Sequence, residues 1–308
     1  MKKLIIMMVL GLAGWGCLPA QRTKQPVPAS EPEAQPQVRT VPADVCYTKA
    51  DSLFICRALS EAKAADIQAA DMMLFFARRL MDRPYVAHTL EVNDDERLVI
   101  NTRELDCTTF VENVVALTLC ARSGNTDFAD FVEMLRSLRY RGGKQDGYAS
   151  RLHYFSDWIL DKEQMGYVSE IHAPNPPFSA VQKLNVNYMS RHPQSYKALK
   201  AHPELVPVIS KQERLLTGKT FPYIPKQKID NSAVMRQAVH DGDILALTTT
   251  MEGLEISHLG LAVWKKDGLH LLNASMIHKR VVEDTQLLRD YLQKRKTATG
   301  IRVIRVGK

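Results

Sequence analysis

Apolar side chains recur at helical spacing through the first half of the chain. The spacing runs over residues 59–83, where Pro84 ends it, and again over 107–121. It continues over 127–140, just before a pair of glycines that suits a helix end, and over a shorter stretch at 150–162. The pattern therefore predicts a helix over each of these stretches.

The pattern changes to that of strands near the C-terminus. Residues 243–249, 256–264, 269–274 and 301–306 are short apolar runs, and only the turn sequence KKDG separates the second from the third. Helices followed by antiparallel strands predict an α+β domain. The segment 171–232 is rich in proline and polar residues, so we expect a long, partly irregular insertion there that shapes a substrate site.

The chain begins with the pattern of an export signal. Two lysines precede an apolar stretch at 4–13, which is too short to span a bilayer as a mature helix. Cys17 follows in a sequence that resembles a lipoprotein box, so residues 1–17 are predicted to be a signal peptide with lipidation at Cys17. Cleavage near Ala20 without lipidation is the alternative. Both place the protein in a bacterial cell envelope, in the periplasm or anchored to a membrane.

A linker is predicted to follow the signal. Residues 18–44 are rich in proline, glutamine and charge and have few large apolar side chains. Burial of such a segment cannot offset the entropy lost on ordering it, so it is expected to be flexible. The folded domain is therefore predicted over 45–308.

Charge and short motifs narrow the choice of partners. The net charge of +7 is mild and spread along the chain, and no basic run is interleaved with aromatic residues. Nucleic acid is therefore not an expected partner, whereas an anionic cell-wall or membrane surface is compatible with this charge. The chain has no His-Glu-x-x-His, no Cys-x-x-Cys, no glycine-rich phosphate loop and no Gly-x-Ser-x-Gly elbow. Neither a metal nor a cofactor is predicted.

The cysteines differ in their surroundings. Cys46 and Cys56 lie ten residues apart at the start of the fold, and in an exported protein they are either a disulfide or two free thiols. Cys120 falls within an apolar helical run and is expected in the core. This leaves Cys107 as the candidate for chemistry.

Cys107 stands at the predicted start of a helix. Asp106 is a good N-cap, because its carboxylate can accept a backbone N–H of the first turn. Free N–H groups and the helix macrodipole at this position favour a thiolate and can bind an oxyanion. The alternative is structural, since Cys107 is in register with Phe110 and Val114 and could point into the core.

A cysteine nucleophile needs a base, and His258 is the best candidate among the histidines. It lies in a predicted strand of apolar and small residues, where Gly260 leaves room for a helix end to approach. A single histidine in a strand can equally be a core residue with its hydrogen bonds satisfied.

The geometry of the predicted hairpin selects a third residue. If Trp264 pairs with Leu269 across the four-residue turn, Asn273 becomes a diagonal neighbour of His258 on the same face. His270 then faces the other side of the sheet. Asn273 is therefore the candidate for orienting the imidazole.

A cluster of aromatic and charged residues supplies candidates for binding substrate. Aromatic rings suit a saccharide, and a cation suits a carboxylate of a peptide. The alternative is an amphipathic helix with exposed polar groups. Tyr223, in the predicted insertion, is a further candidate. The cluster consists of Tyr148, Arg151, His153, Tyr154, Asp157 and Trp158.

The motifs together resemble a known family. The segments LDCTTFVENV, ISHLGLAVW and LLNAS, in this order, look like the NlpC-type branch of papain-like cysteine hydrolases. The segments YASRLHYFSDWI, FPYIPK and GLEISHLGLA make the chain similar to the N-acetylmuramoyl-L-alanine amidase-like family. The likeness spans about residues 60–306. It implies a papain-like α+β fold, with the cysteine-bearing helix packed on a C-terminal antiparallel sheet.

The resemblance also implies a reaction. Members of such a family hydrolyse the amide between N-acetylmuramic acid and L-alanine in peptidoglycan fragments. Here Cys107 would be the nucleophile, His258 the acid and base, and Asn273 the orienting group, where the superfamily often has a histidine. The protein is expected to act as a monomer on peptidoglycan or muropeptides, with 45–308 as its catalytic domain.

Other functions are compatible with the same residues. An endopeptidase that cuts the stem peptide, for example between D-glutamate and the diamino acid, would keep Cys107 and His258 and differ in its pocket. A transferase that forms a thioester is a further option. A lipoprotein that binds peptidoglycan without cleaving it would have an unreactive Cys107.

Overall fold

The computed structural model describes residues 41–307, which belong to one compact unit. The helices are α1 Lys49–Ala64, α2 Met72–Arg79, α3 Cys107–Arg122, α4 Phe128–Arg139, α5 Phe155–Gln164, α6 Tyr188–Arg191, α7 Lys197–Ala201, α8 Val206–Leu216, α9 Ala233–Ala238 and α10 Leu288–Gln293. The strands are β1 Val45–Cys46, β2 Leu98–Val99, β3 Val168–Ile171, β4 Ala180–Lys183, β5 Thr220–Pro225, β6 Ile244–Thr249, β7 Ile256–Trp264, β8 Leu269–Ser275, β9 Arg280–Glu283 and β10 Ala298–Val306.

The predicted helices are present, but the first is divided in two and the fourth, expected over 150–162, is α5 at Phe155–Gln164. The expected helix over 59–83 is two helices, α1 and α2, separated by a turn. Asp66 in this turn has a positive φ of 48°, and the backbone N–H of Ile67 bonds back to the carbonyl of Ala62. This left-handed residue ends α1, because a helix cannot continue through it. Apolar periodicity resumes on the far side of the turn, which is why the pattern looked continuous.

Eight of these strands form one sheet in the order β4-β5-β10-β6-β7-β8-β9, with β3 also paired to β10, and β1 and β2 pair separately. Every pair of neighbouring strands in this sheet is antiparallel. Trp264 pairs with Leu269 across the four-residue turn, which is the pairing on which the choice of Asn273 depended. The register of the hairpin that places Asn273 near His258 is thus confirmed.

Helices cover both faces of the sheet. Helices α1 to α4 pack on one face, where α3 lies against β7 and β8. Along β7, Leu259, Leu261 and Val263 belong to this core, whereas Ala262 belongs to the core beneath α9 and α10 on the opposite face. The alternation follows from the two-residue period of a strand. The predicted α+β architecture, with the cysteine-bearing helix on an antiparallel sheet, is confirmed at this level.

The segment 171–232 is more regular than its composition suggested. Strands β4 and β5 extend the main sheet through β10, and α8 spans eleven residues. The segment has a core of its own, in which Leu184, Met189, Ile209 and Leu216 are buried. Spacing over such short elements carries too little periodicity to reveal them from sequence.

Of the two alternatives for Cys46 and Cys56, the structure shows the free thiols, and all four described cysteines are free. Cys46 lies in β1, and its thiol donates to Asn93 Oδ1 at 3.5 Å. Cys56 lies in the middle of α1, beside the backbone of Phe128. The two side chains therefore have separate partners, which sequence separation alone could not show.

The N-terminal predictions lie outside the described residues. These are the signal peptide 1–17, lipidation at Cys17 and all but the end of the linker 18–44. They stay predictions. Among the helices of residues 41–307, none has the length and apolar character needed to cross a bilayer.

Candidate active site

The start of α3 is closed by a capping box. The Asp106 carboxylate accepts the backbone N–H of Thr109 at 2.8 Å, and the Thr109 hydroxyl accepts the N–H of Asp106 at 3.0 Å. The box fixes the point at which the helix begins, so Cys107 is its first residue. Its side chain is half-buried. It therefore stands beside the free N–H groups of the first turn.

His258 and Asn273 form a direct hydrogen bond across the hairpin. The imidazole Nε2 lies 2.9 Å from Asn273 Oδ1. Asn273 is fully buried, and its amide nitrogen faces the carbonyl of Leu271 at 3.5 Å. The amide is thus oriented with its oxygen toward the histidine.

This bond selects the tautomer of the histidine. An amide oxygen can only accept, so the neutral imidazole carries its hydrogen on Nε2 and donates it to Asn273. Nδ1 then has the lone pair and is the nitrogen that can take a proton. An orienting asparagine can hold a catalytic base in this way without adding a charge.

Gly260 was expected to leave room for the end of a helix, but the space beside it is taken up by strand β8. A Cβ at this position would lie 2.7 Å from Leu271 Cδ1 and 2.9 Å from the carbonyl oxygen of Leu272. The glycine therefore permits close packing of β7 on β8. It does not open a path for the end of α3.

The thiol of Cys107 is held in its neutral form. Burial and the neighbouring Asp106 carboxylate raise its pKa to about 12, although the backbone N–H of Leu259 hydrogen-bonds the sulfur and lowers it in part. The sequence-based expectation of a lowered pKa is therefore wrong for the free protein. The macrodipole is a small effect, and desolvation together with a like charge outweighs it.

Burial acts on the histidine in the opposite direction. It lowers the pKa of His258, as does the positive charge of Arg295, while Asn273 and Asp106 raise it in part. The resting pair is thus a neutral thiol and a neutral imidazole. If the sulfur attacks a substrate, a proton would have to pass from the thiol to the imidazole at the same time.

Cys107 and His258 line the same cavity, which has a volume of about 230 Å³. Of the residues predicted to bind substrate, His153, Tyr154 and Trp158 also line it. The other residues of its wall are Thr108, Glu112, Leu152, Phe155, Met189, Tyr196, Leu254, Glu255, Ile256, Ser257 and Leu259. The fold therefore brings half of the aromatic cluster to the cysteine.

The aromatic wall has little capacity to change its charge. The Tyr154 hydroxyl donates to Glu213 Oε1 at 2.7 Å and accepts the backbone N–H of Met189 at 2.9 Å. Burial and the Arg151 charge lower the pKa of His153 to about 3, so this ring is neutral. Trp158 is almost fully buried, and its indole N–H has no hydrogen-bond partner within residues 41–307.

The other predicted binding residues lie outside this cavity. Arg151 pairs with Glu91 and, at 3.6 Å, with Glu96, and its guanidinium lies 4.8 Å from the centre of the Tyr148 ring. Tyr148 lines a separate cavity of about 300 Å³ with several acidic residues. Arg151 was expected to bind a carboxylate of the substrate, but it is already paired with two carboxylates of the protein.

Asp157 and Tyr223 also lie away from the cysteine. Asp157 forms a two-pronged ion pair with Arg141, with N–O distances of 3.0 and 2.5 Å. Tyr223 lies in β5, paired with Ala180 of β4, and is not part of the cavity wall. A structural role explains Asp157 without any substrate.

Comparison with known proteins places the chain in a family. Residues 75–301 match the family described as N-acetylmuramoyl-L-alanine amidase-like. The match covers well over half of the chain. The protein belongs to the N-acetylmuramoyl-L-alanine amidase-like family. No curated protein matched the chain.

Solved structures support this membership. The N-acetylmuramoyl-L-alanine amidase from Bacteroides uniformis ATCC 8492 is 41% identical, with a TM-score of 0.73 over 78% of this chain and 100% of that one. A Bacteroides fragilis protein with the provisional name xylanase is 45% identical, with a TM-score of 0.70 over 75% and 98% of the two chains. A Legionella pneumophila protein, 20% identical over 84% and 95% with a TM-score of 0.62, shares the fold.

Sequence reasoning missed several residues near the cysteine of this amidase-like protein. Tyr85 and Tyr291 are close enough to Cys107 for the thiol to contribute to their raised pKa values, after the larger effect of burial. Arg295 acts on His258 through its charge. These residues are far from the motifs in sequence, so no spacing could reveal them.

The described part of the protein contains no candidate metal site. Within residues 41–307, no group of three or more histidine, cysteine or acidic side chains could hold a metal ion. The two acids of the cavity wall have protein partners. Glu112 forms a buried ion pair with Arg139 at 2.8 Å, and Glu255 accepts the backbone N–H of Ser156 at 3.1 Å.

Asp106→Asn tests the cause of the high thiol pKa. Asparagine is as good an N-cap as aspartate, so the helix start is kept while the charge is lost. The pKa of Cys107 should fall, and its alkylation by iodoacetamide at pH 8 should become about tenfold faster. Peptide mass spectrometry would follow Cys107, with half-buried Cys56 as an internal reference. An unchanged rate would mean that burial alone sets the pKa.

Proposed function

We propose that the protein is a cysteine amidase that hydrolyses the bond between N-acetylmuramic acid and L-alanine in peptidoglycan fragments. Cys107 is the nucleophile, His258 the acid and base, and Asn273 the orienting group. The observation that carries this proposal is the His258–Asn273 hydrogen bond of 2.9 Å on a cavity that Cys107 also lines. Membership of the amidase-like family supports the choice of bond.

The first half of the reaction forms a thioester. His258 Nδ1 takes the thiol proton as Cys107 Sγ attacks the carbonyl carbon of the lactyl group. Free N–H groups at the start of α3 stabilise the oxyanion. The imidazolium then gives its proton to the leaving amine of L-alanine, and the carbon–nitrogen bond breaks.

The second half releases the sugar acid and restores the enzyme. His258 Nδ1 takes a proton from a water molecule, whose oxygen attacks the thioester carbon. The carbon–sulfur bond breaks, and the imidazolium returns the proton to Cys107. Asp106 assists in both halves, because its carboxylate favours the transient imidazolium.

The cavity wall suits a neutral sugar better than a carboxylate. It combines aromatic rings with hydrogen-bonding groups, and no lysine or arginine lines it among residues 41–307. Aromatic platforms suit the apolar faces of saccharides. A stem-peptide endopeptidase would have to hold the carboxylates of that peptide beside the cysteine, and this wall offers them no cation.

A glycosidase is a second function to consider, because the Bacteroides fragilis neighbour is named as a xylanase. Such an enzyme uses two carboxyl groups that flank the sugar bond. Glu112 and Glu255 do line the cavity, but the ion pair with Arg139 holds Glu112. The cysteine and histidine pair has no role in that reaction. The residues therefore favour acyl transfer.

Mass spectrometry of defined muropeptides after incubation with the protein tests the proposal. Release of a free sugar acid and a peptide that begins with L-alanine would support it. A cut within the stem peptide would overturn the proposed choice of bond but agree with the proposed cysteine mechanism. A cut between sugars would indicate a glycosidase. No cleavage by wild type or by Cys107→Ala would favour a protein that binds peptidoglycan without cleaving it.

A further inference from the structure

An aromatic side chain from the C-terminal helix packs beside the candidate base. Tyr291 of α10 lies with its ring centre 6.5 Å from that of His258, at an angle of 26° between the planes. Tyr291 is only 5% exposed. The Tyr291 ring is therefore a buried neighbour of the imidazole.

Arg295 holds a positive charge against the same tyrosine. Its Cζ lies 3.3 Å from the centre of the Tyr291 ring, and its Nη1 donates to the Tyr291 carbonyl at 2.8 Å. The carbonyl of Arg295 accepts from Lys226 Nζ at 3.3 Å. The guanidinium is thus fixed by a cation–π contact and a hydrogen bond.

The groups around His258 come from several elements. Asp106 at the start of α3 is negative, and Arg295 beyond the end of α10 is positive. Asn273 of β8, Tyr291 of α10 and Cys107 of α3 are neutral. The imidazole is thus influenced by one negative and one positive fixed charge. The positive charge of Arg295 is the one that disfavours protonation of His258.

We propose that Tyr291 and Arg295 are positioning residues for His258. Tyr291 restricts the rotation of the imidazole on the cavity that Cys107 also lines, and Arg295 holds a fixed positive charge against the Tyr291 ring, so that the imidazole stays neutral until the thiol gives up its proton. This inference rests on the proposed function, since it assigns His258 the role of base. Neither residue is assigned direct contact with the substrate.

Arg295→Gln and Arg295→Lys test the effect of the charge. Histidine-labelled protein is titrated by NMR, and the pH dependence of kcat/KM for muropeptide hydrolysis is measured in parallel. Without the positive charge, His258 should bind its proton more readily, so its midpoint should rise by about half a pH unit. The acidic limb of kcat/KM should move to higher pH by the same amount, because the base must be neutral. Lysine should restore both.

Arg289→Gln is the matched control. Arg289 lies in α10, which also carries Tyr291; it is about half exposed and pairs with Asp290 at 3.3 Å. Its replacement should leave the titration midpoint of His258 and the acidic limb of kcat/KM unchanged. A similar shift in this variant would overturn the inference, because the effect would then not be specific to Arg295.

Tyr291→Phe and Tyr291→Ala test the ring. Phenylalanine keeps the ring and should keep kcat within about twofold. Alanine removes it, and kcat should fall about tenfold with little change in KM. Should the alanine variant fail to fold, Tyr291→Leu serves in its place, and an unchanged kcat in a folded variant would overturn the role of the ring.

The NMR titration separates this inference from the proposed function. A raised midpoint in Arg295→Gln without any hydrolysis by the wild type would support the effect of the charge and overturn the amidase. Hydrolysis with an unchanged midpoint would keep the amidase and overturn the inference.

Discussion

Cys107→Ala should lower kcat/KM for muramoyl–alanine hydrolysis by at least about 10⁴-fold. Alanine leaves the cavity and its binding groups in place but removes the sulfur atom that would form the proposed thioester. Product release from a defined muropeptide, followed by mass spectrometry, measures the effect. Binding of the substrate by the variant should be preserved, because the wall does not depend on the sulfur.

Cys120→Ala is the matched control for this variant. Cys120 lies in the same helix α3, and it is 1% exposed in the core. Its loss should cost about 1 kcal/mol of the free energy of unfolding and leave kcat/KM unchanged. If Cys107→Ala kept its activity, Cys107 would be the structural thiol that its position in the helix also allows.

His258→Ala should lower kcat/KM about 10³-fold. The loss is larger here than for a thiolate enzyme, because the pKa of Cys107 near 12 leaves almost no thiolate at neutral pH. Without a base, only hydroxide can deprotonate the thiol in this variant. Its remaining activity should therefore rise with pH until the pH reaches the pKa of Cys107. A pH–rate profile would show whether the acidic limb of the wild type is lost.

The neighbouring histidine of the hairpin controls for damage to the fold. His270 is 1% exposed on the opposite face of β8, where it bonds the carbonyl of Asp284 at 3.1 Å and Asp267 Oδ1 at 3.1 Å. His270→Gln should lower the Tm and leave kcat/KM unchanged. Equal losses of activity in both variants would indicate that the sheet, and not the base, was disturbed.

The hairpin shows how much of the site could be predicted from sequence. A four-residue turn fixes the register of β7 and β8, and register alone decides which side chains share a face. Asn273 was therefore assigned to His258, and His270 excluded, from spacing alone. The N-cap and the start of α3 could be predicted for the same reason, because a capping box depends only on residues three apart in the chain.

Arg151 shows where such reasoning failed. Its position in an aromatic cluster predicted a site for a substrate carboxylate, but the fold pairs it with Glu91 and Glu96. Those acids lie in a separate stretch of the chain, so no local pattern connects them with Arg151. The aromatic neighbours reach the cavity because the start of α5, which carries Trp158, and Tyr154 directly before it lie along the wall.

The sequence by itself determined the order of the main helices and of strands β6, β7, β8 and β10, the helix that begins at Cys107 and the pairing of His258 with Asn273. These depend on interactions between residues close in the chain or joined by a short turn. Only the tertiary structure decided the pKa of the thiol, the partners of Arg151 and the approach of Tyr291 and Arg295. Desolvation and Coulomb interactions act through space, so they depend on which distant segments the fold packs together.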